Sequence, residues 1–195
     1  MSLAEGVRWE RLGRETVFEG RVVDVRRDRV RIETGAGARE TRYEVVHHPG
    51  AVGVLALFPD LSTALLRQFR YPVEETLWEI PAGTRGAGES FRACAERELA
   101  EETGHRALRW LRLTRFFTTP GFCDEVMEIW LAEDLEAGET AHDEDEHIEV
   151  ARVPLTRALD MAADGEIRDA KTLAALWAAR VHLEADGRWP PGRGA

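Results

Sequence analysis

The first part of the chain alternates apolar and charged residues, as strands with one face in water do. The apolar positions of this alternation are Val23, Val25, Val30 and Ile32. A glycine and alanine turn at residues 35–38 interrupts the alternation, which then resumes as far as Glu44. A period of two with such a turn predicts antiparallel strands over residues 16–44.

Continuous apolar runs follow, and they predict strands that are buried on both faces. The first two runs cover residues 51–58 and 63–69, and a Pro59-Asp60 turn separates them. Shorter apolar stretches predict further strands at residues 78–80, 110–117, 126–132 and 148–153.

Three segments carry the signals of helices. The first follows Ser90, a candidate N-cap, and ends at Gly104. The other two are predicted over residues 154–163 and 170–184. In the last helix, the stripe expected to face the core consists of Leu173, Leu176, Trp177 and Val181.

The composition argues against several classes of protein. The 195 residues carry a formal net charge of −10, and residues 133–149 include nine acids and no Lys or Arg, so the acidity is local. Because no basic stripe and no apolar run of membrane-spanning length stand out, we expect no nucleic-acid partner and no membrane association. Residues 1–14 are polar and mixed in charge, so we expect no basic and apolar leader. The two cysteines, Cys94 and Cys123, are too few for a disulfide framework and favour a reduced, cytoplasmic protein.

The first predicted helix changes character along one face. Near its start this face carries Phe91, Cys94 and Ala95. At about 100° per residue, the same face then carries the acids Glu98, Glu101 and Glu102.

These carboxylates would repel one another, and they lie in the last turns before Gly104, where the helix dipole disfavours negative charge. A cation would offset that cost, and hard oxygen ligands favour Mg²⁺ or Mn²⁺. For an arbitrary E-x-x-E-E pattern, a solvated helix end would be the more common explanation.

The wider spacing around these acids resembles a family signature. The string is Gly83, five residues, Glu89, seven residues, then Arg97-Glu98-Leu99-x-Glu101-Glu102-x-Gly104. It is similar to the signature box of the Nudix hydrolases at every position but the last, where this chain has His105 instead of an aliphatic residue. The resemblance implies an α+β fold class, with a Nudix-type α/β/α sandwich, a mixed central sheet and an N-terminal antiparallel β subdomain.

The resemblance also implies roles for residues of the box. The implied metal ligands are the carboxylates of Glu98, Glu101 and Glu102 and the backbone carbonyl of Ala82. Arg97 would orient a carboxylate through a bidentate bond, and Glu89 would be its structural partner. Gly83 would be needed for the backbone shape. The implied chemistry is metal-dependent hydrolysis of a nucleoside diphosphate linked to another group.

Further segments resemble the ADP-ribose pyrophosphatase branch of the family. Pro120, sixteen residues after Gly104, looks like the marker of that branch, although Pro-Gly alone would indicate only a turn. The other similar segments, in the order of the branch, are residues 42–44, 48–52, 67–70, 78–83 and 165–172. The implied reaction splits ADP-ribose into AMP and ribose 5-phosphate, with Mg²⁺ or Mn²⁺ as cofactor.

The branch resemblance implies residues that bind the substrate. Arg42 and Glu44 would help hold the adenine end. Arg67 or Arg70 would approach the phosphates, and a solvated charge at a strand end explains Arg70 equally well. The other expected contacts are Gly83, Pro120, Gly121 and Glu125. The resemblance also implies a homodimer in which the N-terminal strands complete the partner's adenine pocket.

The acidic segment 143–150 is similar to the mobile loop that carries the water-activating glutamate in this branch. Glu144 and Glu146 are the two candidates, and the other would be a further ligand. Glu146 is the preferred base because it lies three residues before Glu149 and the next strand. A general base must reach the water, so loop closure would be part of turnover.

The sequence leaves other functions open. The same chemistry could act on another ADP-sugar, a dinucleotide or an oxidised nucleotide. The chain could instead be a non-catalytic ADP-ribose sensor, although its box glutamates are intact. A calcium-binding role for residues 133–149 lacks the spaced acids and glycine of a known calcium loop.

A shift of composition near Tyr43 suggests where the chain divides. We expect an N-terminal β subdomain at residues 1–46, on the dimer and adenine side. The catalytic domain is expected at residues 47–186, and residues 187–195 are expected to be a loose tail.

Overall fold

The computed structural model describes residues 6–138 and 148–189, and these residues group into two compact units. The first unit holds residues 6–49 together with 117–126. The second unit holds the other described residues. The segment 117–126 therefore groups with the N-terminal strands, although in the sequence it connects two strands that lie mostly in the second unit.

The first unit is built on a three-stranded antiparallel sheet, as the alternating pattern predicted. Its strands are β1 (Arg8–Glu19), β2 (Asp24–Thr34) and β3 (Gly37–His47), in that order across the sheet. The first strand begins eight residues before the predicted start at residue 16. This extension has little apolar alternation, but Trp9 lies opposite Ile32 and its ring centroid is 6.2 Å from that of Tyr43.

The remaining elements of the described residues are strands and helices of the second unit. The strands are β4 (Ala51–Ala56), β5 (Ser62–Arg70), β6 (Glu75–Glu79), β7 (Ala82–Thr84), β8 (His105–Phe117), β9 (Val126–Ala137) and β10 (Ile148–Pro154). The helices are α1 (Phe91–Thr103), α2 (Leu155–Ala163) and α3 (Ala170–Ala185), and a short 3-10 helix covers Tyr71–Val73.

These strands form two sheets. One sheet has the order β7-β4-β9-β8, and it is mixed because β4 runs parallel to β9 and antiparallel to β7. The other sheet has the order β10-β5-β6 and is antiparallel. The predicted α+β class with a mixed sheet and an N-terminal antiparallel sheet is confirmed.

Strand β4 lies between two hydrophobic cores because its side chains alternate between the two faces of the sheet. On one face, Leu55 packs in a core that includes Leu176 and Leu183 of α3. On the other face, Val54 packs in a core that includes Leu99 of α1. The continuous apolar run of β4 is thus explained by helices on both faces.

The predicted inward stripe of α3 is wrong at three of its four positions. Leu173, Trp177 and Val181 are exposed, and Leu176 alone of the four is buried. The buried face instead consists of Thr172, Ala175, Leu176, Ala179 and Leu183. Small residues at 175 and 179 let the helix approach the sheet closely, so residue size, and not hydrophobicity alone, sets which face is inward.

Trp189 is partly buried against the same core, and its backbone N–H donates to the Leu183 carbonyl at 3.0 Å. The sequence placed Trp189 in a loose tail, of which residues 190–195 lie outside the described residues. None of the helices within 6–138 and 148–189 is long and apolar enough to cross a membrane.

The phase of α3 leads to a test with two substitutions. Leu183→Ala removes a fully buried side chain, and we expect it to lower the free energy of unfolding by about 2–5 kcal/mol. Trp177 is 65% exposed, so Trp177→Ala should change that free energy by about 0.5 kcal/mol. Urea denaturation of both variants measures the difference, and the opposite order of effects would contradict the observed phase.

Candidate active site

Helix α1 has well-defined ends. At its start the Ser90 hydroxyl accepts a hydrogen bond from the Ala93 N–H at 3.1 Å. At its end Gly104 has a left-handed conformation, with φ of 68°, and its N–H donates to the Ala100 carbonyl. Both ends lie where the local signals predicted them.

The acidic face of α1 is largely turned inward. Glu98 and Glu102 are only 8% and 5% exposed, and they lie one turn apart on the face that carries Cys94 and Ala95 in the first half of the helix. Glu101 is partly exposed. Burial of carboxylates is costly unless counter-charges or hydrogen bonds compensate for it. The groups that surround Glu98 and Glu102 must therefore supply such compensation.

Arg97 is the side chain that connects the acids of the site. Its Nη1 donates to Glu98 at 2.6 Å and to Glu101 at 2.9 Å. Its Nε and Nη2 donate to the two oxygens of Glu89 at 3.0 and 3.2 Å. Nη2 also donates to the Thr84 carbonyl at 3.3 Å. One guanidinium therefore serves three carboxylates and ties α1 to β7.

These contacts change the protonation of the groups involved. The hydrogen bond from Arg97 lowers the pKa of Glu89 to about 2, and hydrogen bonding to Glu89 raises the pKa of Arg97. Burial raises the pKa of the Cys94 thiol to about 12. Glu89 is therefore ionised at neutral pH, whereas Cys94 is a neutral packing residue.

Gly83 is required by the position of Glu98. A Cβ atom built on Gly83 would lie 1.8 Å from Oε1 of Glu98 and 2.0 Å from its Cδ. Glu98 is buried and bonded to Arg97, so its carboxylate cannot swing away without losing that bond. Any larger residue at position 83 would displace the carboxylate.

Glu102 is anchored to the backbone of the same strand, β7. The Ala82 N–H donates to Oε2 of Glu102 at 2.8 Å, and β7 is held against β4 by pairing of Ala82 with Gly53 and of Gly83 with Val52. The backbone of Ala82 and the two buried carboxylates are thus brought together by β7 and α1.

The two buried carboxylates are oxygen donors of the type that a divalent cation prefers. Over residues 6–138 and 148–189, no three His, Cys, Asp or Glu side chains converge closely enough to hold a metal ion. Nevertheless, Glu98 and Glu102 supply hard oxygen donors, and the glycine at position 83 leaves space that the Glu98 carboxylate fills. Nη1 of Arg97 donates to both Glu98 and Glu101, so a metal ion would share these carboxylates with the arginine.

The two arginines expected near the phosphates have different surroundings. Arg70 donates two hydrogen bonds of 2.8 Å to the buried Glu79. Arg67 lies over the Trp78 ring, with its Cζ 5.5 Å from the centroid and Nη1 3.5 Å from Glu149. Arg67 is about half exposed, so its guanidinium is the more accessible of the two.

Sequence reasoning missed the network that holds Arg70. Lys171 also donates to Glu79, and although burial acts to raise it, Arg70 and Lys171 hold the pKa of Glu79 below its ordinary value. Lys171 further contacts Asp169 at 3.0 Å, and the Thr172 hydroxyl accepts from the Ile80 N–H at 2.9 Å. The resemblance of residues 165–172 to the branch was a signal for this segment, but it gave no partner.

The other expected substrate contacts lie in the first unit. Pro120 and Gly121 belong to a turn in which the Phe122 and Cys123 N–H groups donate to the Thr119 carbonyl. Glu125 accepts a hydrogen bond from the Thr118 hydroxyl at 2.7 Å and lies 3.3 Å from His48.

Asp124 was also missed by the sequence analysis. Its carboxylate lies 2.7 Å from Nδ1 of His47 and accepts from the His48 N–H at 2.9 Å. Burial acts to raise the pKa of Asp124, but the bonds from His47 and His48 keep it below the ordinary value. These bonds hold the turn at 119–125 against the end of β3, and nothing in the spacing of the residues predicted the pairing.

The remaining predicted residues are placed as follows. Arg42 and Glu44 are exposed and two residues apart on β3, so their side chains share a face of the sheet. Glu144 and Glu146 lie outside the described residues, and the question of which of them is the base stays a prediction.

Comparisons with known proteins agree with this geometry. The NUDIX domain matches residues 47–176. The chain is 41% identical over 167 residues to an ADP-ribose pyrophosphatase of Bacillus subtilis, which covers 85% of this chain and 89% of that protein. It is 38% identical over 164 residues to a methanol dehydrogenase activator of Bacillus methanolicus, covering 83% and 87%.

A more distant relative and a solved structure are also similar to this chain. A GDP-mannose pyrophosphatase of Yersinia enterocolitica is 31% identical over 159 residues, covering 77% of this chain and 83% of that protein. The crystal structure of an ADP compounds hydrolase aligns with a TM-score of 0.79 and 27% identity, covering 93% of this chain and 97% of the other. The resemblance inferred from the signature box is confirmed, and the chain belongs to the Nudix family.

Proposed function

We propose that this protein is a metal-dependent hydrolase that splits ADP-ribose into AMP and ribose 5-phosphate. The observation that carries the proposal is the pair of buried carboxylates, Glu98 and Glu102, held on one face of α1 against the Ala82–Gly83 backbone. The activity named for the Bacillus subtilis relative supports ADP-ribose as the substrate.

The box residues would divide the work between binding and positioning. Glu98, Glu101, Glu102 and the carbonyl of Ala82 would hold Mg²⁺ or Mn²⁺. When bound, such an ion neutralises the diphosphate and makes the attacking water more acidic. Arg97 would act as a positioning residue, because its bonds to Glu98 and Glu101 fix where those carboxylates point.

The general base is proposed to be Glu146, with Glu144 as the alternative. Either would take the proton of the attacking water, which requires a carboxylate within about 3 Å of that water. Both residues fall in the strongly acidic part of the chain, and Glu146 is the nearer to β10.

The substrate contacts are proposed residue by residue. Arg67 is the better candidate for a phosphate contact because its guanidinium is not committed to a buried carboxylate, whereas that of Arg70 is. The nucleotide would be contacted by Arg42, by Glu44 and by the turn with Pro120, Gly121 and Glu125.

We also propose a homodimer joined through the N-terminal subdomain. We propose a cytoplasmic location, which the absence of a disulfide at Cys94 and Cys123 supports.

GDP-mannose is the second candidate substrate, because the Yersinia enterocolitica relative is named for it. A non-catalytic ADP-ribose sensor is the rival of another class. The intact and buried Glu98 and Glu102 favour catalysis over that role, since a sensor would have no need to bury two carboxylates at a cost.

The first prediction from this proposed function concerns the substrate and the metal site together. Purified protein with Mg²⁺ should release AMP from ADP-ribose faster than it cleaves GDP-mannose, ADP-glucose or NADH. Glu98→Gln should lower kcat by about 100-fold or more, because it removes a ligand charge while keeping the shape of the side chain. Chromatography of the nucleotide products measures both rates.

Each other outcome of that experiment has a distinct meaning. Preferred cleavage of GDP-mannose would keep the hydrolase and overturn the substrate. Binding of ADP-ribose by calorimetry without any cleavage would favour the sensor. Activity of Glu98→Gln equal to that of the unchanged protein would remove Glu98 from the metal site.

The second prediction uses two glycines of the same loop. Gly83→Ala places a methyl group on the Glu98 carboxylate, and displacement of about 1 Å should lower kcat by about 100-fold. Gly86→Ala is the matched control, because its Cβ would lie 3.6 Å from the nearest atom, an ordinary contact with Glu89. Steady-state kinetics compares them, and equal activities would show that the Glu98 position is not critical.

The third prediction separates the two loop glutamates. Glu146→Gln should lower kcat by about 100- to 10,000-fold, the range expected for loss of a general base. Glu144→Gln should have a smaller effect on kcat and should raise the Mg²⁺ concentration needed for half-maximal rate. A larger loss of kcat in Glu144→Gln would reverse the two assignments.

A further inference from the structure

One face of the N-terminal sheet carries rows of charged residues that lie opposite one another across three strands. Every second residue of β2 points to this face, which brings Arg27, Arg29 and Arg31 into line. The residues facing each arginine on β1 and β3 decide whether its charge is balanced.

In two of the three rows, the arginine has a glutamate on both sides, so each of these rows carries a net charge of −1. Arg31 lies 3.5 Å from Glu10 on β1 and 3.2 Å from Glu40 on β3. Arg27 lies 3.7 Å from Glu15 on β1 and 3.8 Å from Glu44 on β3. In each row, one arginine is thus placed between two acids.

The middle row breaks this pattern. Arg29 faces Gly13 on β1 and Arg42 on β3. Two like charges opposite each other destabilise a sheet. Among the residues that the structure describes, neither Arg29 nor Arg42 has a carboxylate within ion-pair distance.

The missing side chain at Gly13 leaves a space in that row. A Cβ built on Gly13 would meet no atom within 4 Å. The space belongs to a cavity of about 340 Å³ lined by Gly13, Arg14, Glu15, Arg27, Arg29 and Arg42. Arg14 is bound to Asp28 by two hydrogen bonds of 2.7 and 2.6 Å, so the unbalanced charge in the cavity is that of Arg29 and Arg42.

We propose that Arg29 and Arg42 bind a phosphate group in the space above Gly13. Two guanidinium groups side by side match the oxygens of a phosphate, which accepts charge-assisted and bidentate hydrogen bonds. The phosphate can be inorganic or can belong to a mononucleotide, since both present the same oxygens. Arg42 is also a proposed contact of the adenine end, whereas Arg29 has no role in the proposed reaction.

The surrounding charges favour a small anion over a polymer. The face carries as many glutamates as arginines in its three rows: Glu10, Glu15, Glu40 and Glu44 against Arg27, Arg29, Arg31 and Arg42. A nucleic acid needs a continuous basic surface, and here acids flank the unbalanced row on either side. A single phosphate would contact the middle row alone.

Three variants test the pocket. Arg29→Gln should weaken phosphate binding by about tenfold or more, because it removes a charged donor. Gly13→Glu should abolish binding, because it supplies the acid that the neighbouring rows have at this position, and it should leave the melting temperature equal or higher. Arg31→Gln is the matched control from a row in which the arginine already contacts two glutamates, and it should bind phosphate within about twofold of the unchanged protein.

Calorimetric titration of inorganic phosphate, pyrophosphate and AMP into the metal-free protein, at constant ionic strength, measures binding. Saturable binding that is lost in Arg29→Gln supports the pocket. If Arg29→Gln weakens the binding of AMP alone, the bound phosphate belongs to a nucleotide. If Arg29→Gln also weakens the binding of inorganic phosphate, the ligand is a free anion.

Three results would overturn the proposal. The first is no saturable binding of any of these anions, and the second is the same loss of binding in Arg31→Gln as in Arg29→Gln. The third is a change of oligomeric state in Arg29→Gln, measured by light scattering, with no effect of phosphate on the unchanged protein. In that case the two arginines would contact an acidic group of a second chain.

Discussion

The arrangement of the site depends on one constraint, the need to balance acids that are gathered on a helix. Glu98, Glu101 and Glu102 lie in the second half of α1, where the helix dipole disfavours negative charge. Arg97 supplies balancing charge by donating to Glu98 and Glu101. It can do so because a guanidinium has five donors in a fixed plane, whereas a lysine ammonium is a single point charge. Glu89 holds the same guanidinium through its Nε and Nη2, so the orientation of Arg97 is set from outside the helix.

This charge balance is linked to the packing of the sheet. Helix α1 packs through Leu99 on one face of β4, and β7 pairs with the edge of the same strand. Helix α1 and strand β7 therefore meet at Ala82 and Gly83. There Glu102 accepts a hydrogen bond from the Ala82 N–H, and Glu98 lies against Gly83, which must lack a side chain. The position of the carboxylates follows from the core, which is why the box includes a glycine far from the acids in sequence.

The sequence allowed the local features to be predicted, and long-range ones only in part. The ends of α1 were predicted from Ser90 and Gly104 because caps are local signals. The phase of α3 was not, because Trp177 is large and apolar yet exposed, while Ala175 and Ala179 are small and buried. The family and its fold were recognised from the spacing of the signature box. The domain boundaries, the catalytic base and the substrate contacts stay predictions, since each depends on residues that are distant in sequence or outside the described ranges.

Charge balance also distinguishes structural clusters from binding sites in this chain. Around Glu79, the two acids Glu79 and Asp169 are matched by Arg70 and Lys171, and the cluster joins α3 to the sheet. Around Arg97, one arginine faces three carboxylates, which leaves negative charge for a cation. In the N-terminal sheet, Arg29 and Arg42 face each other without an acid, between two rows in which each arginine contacts two glutamates. Because like charges directly opposite each other lower the stability of a sheet, this row is the position at which a bound anion would offset a cost of the fold.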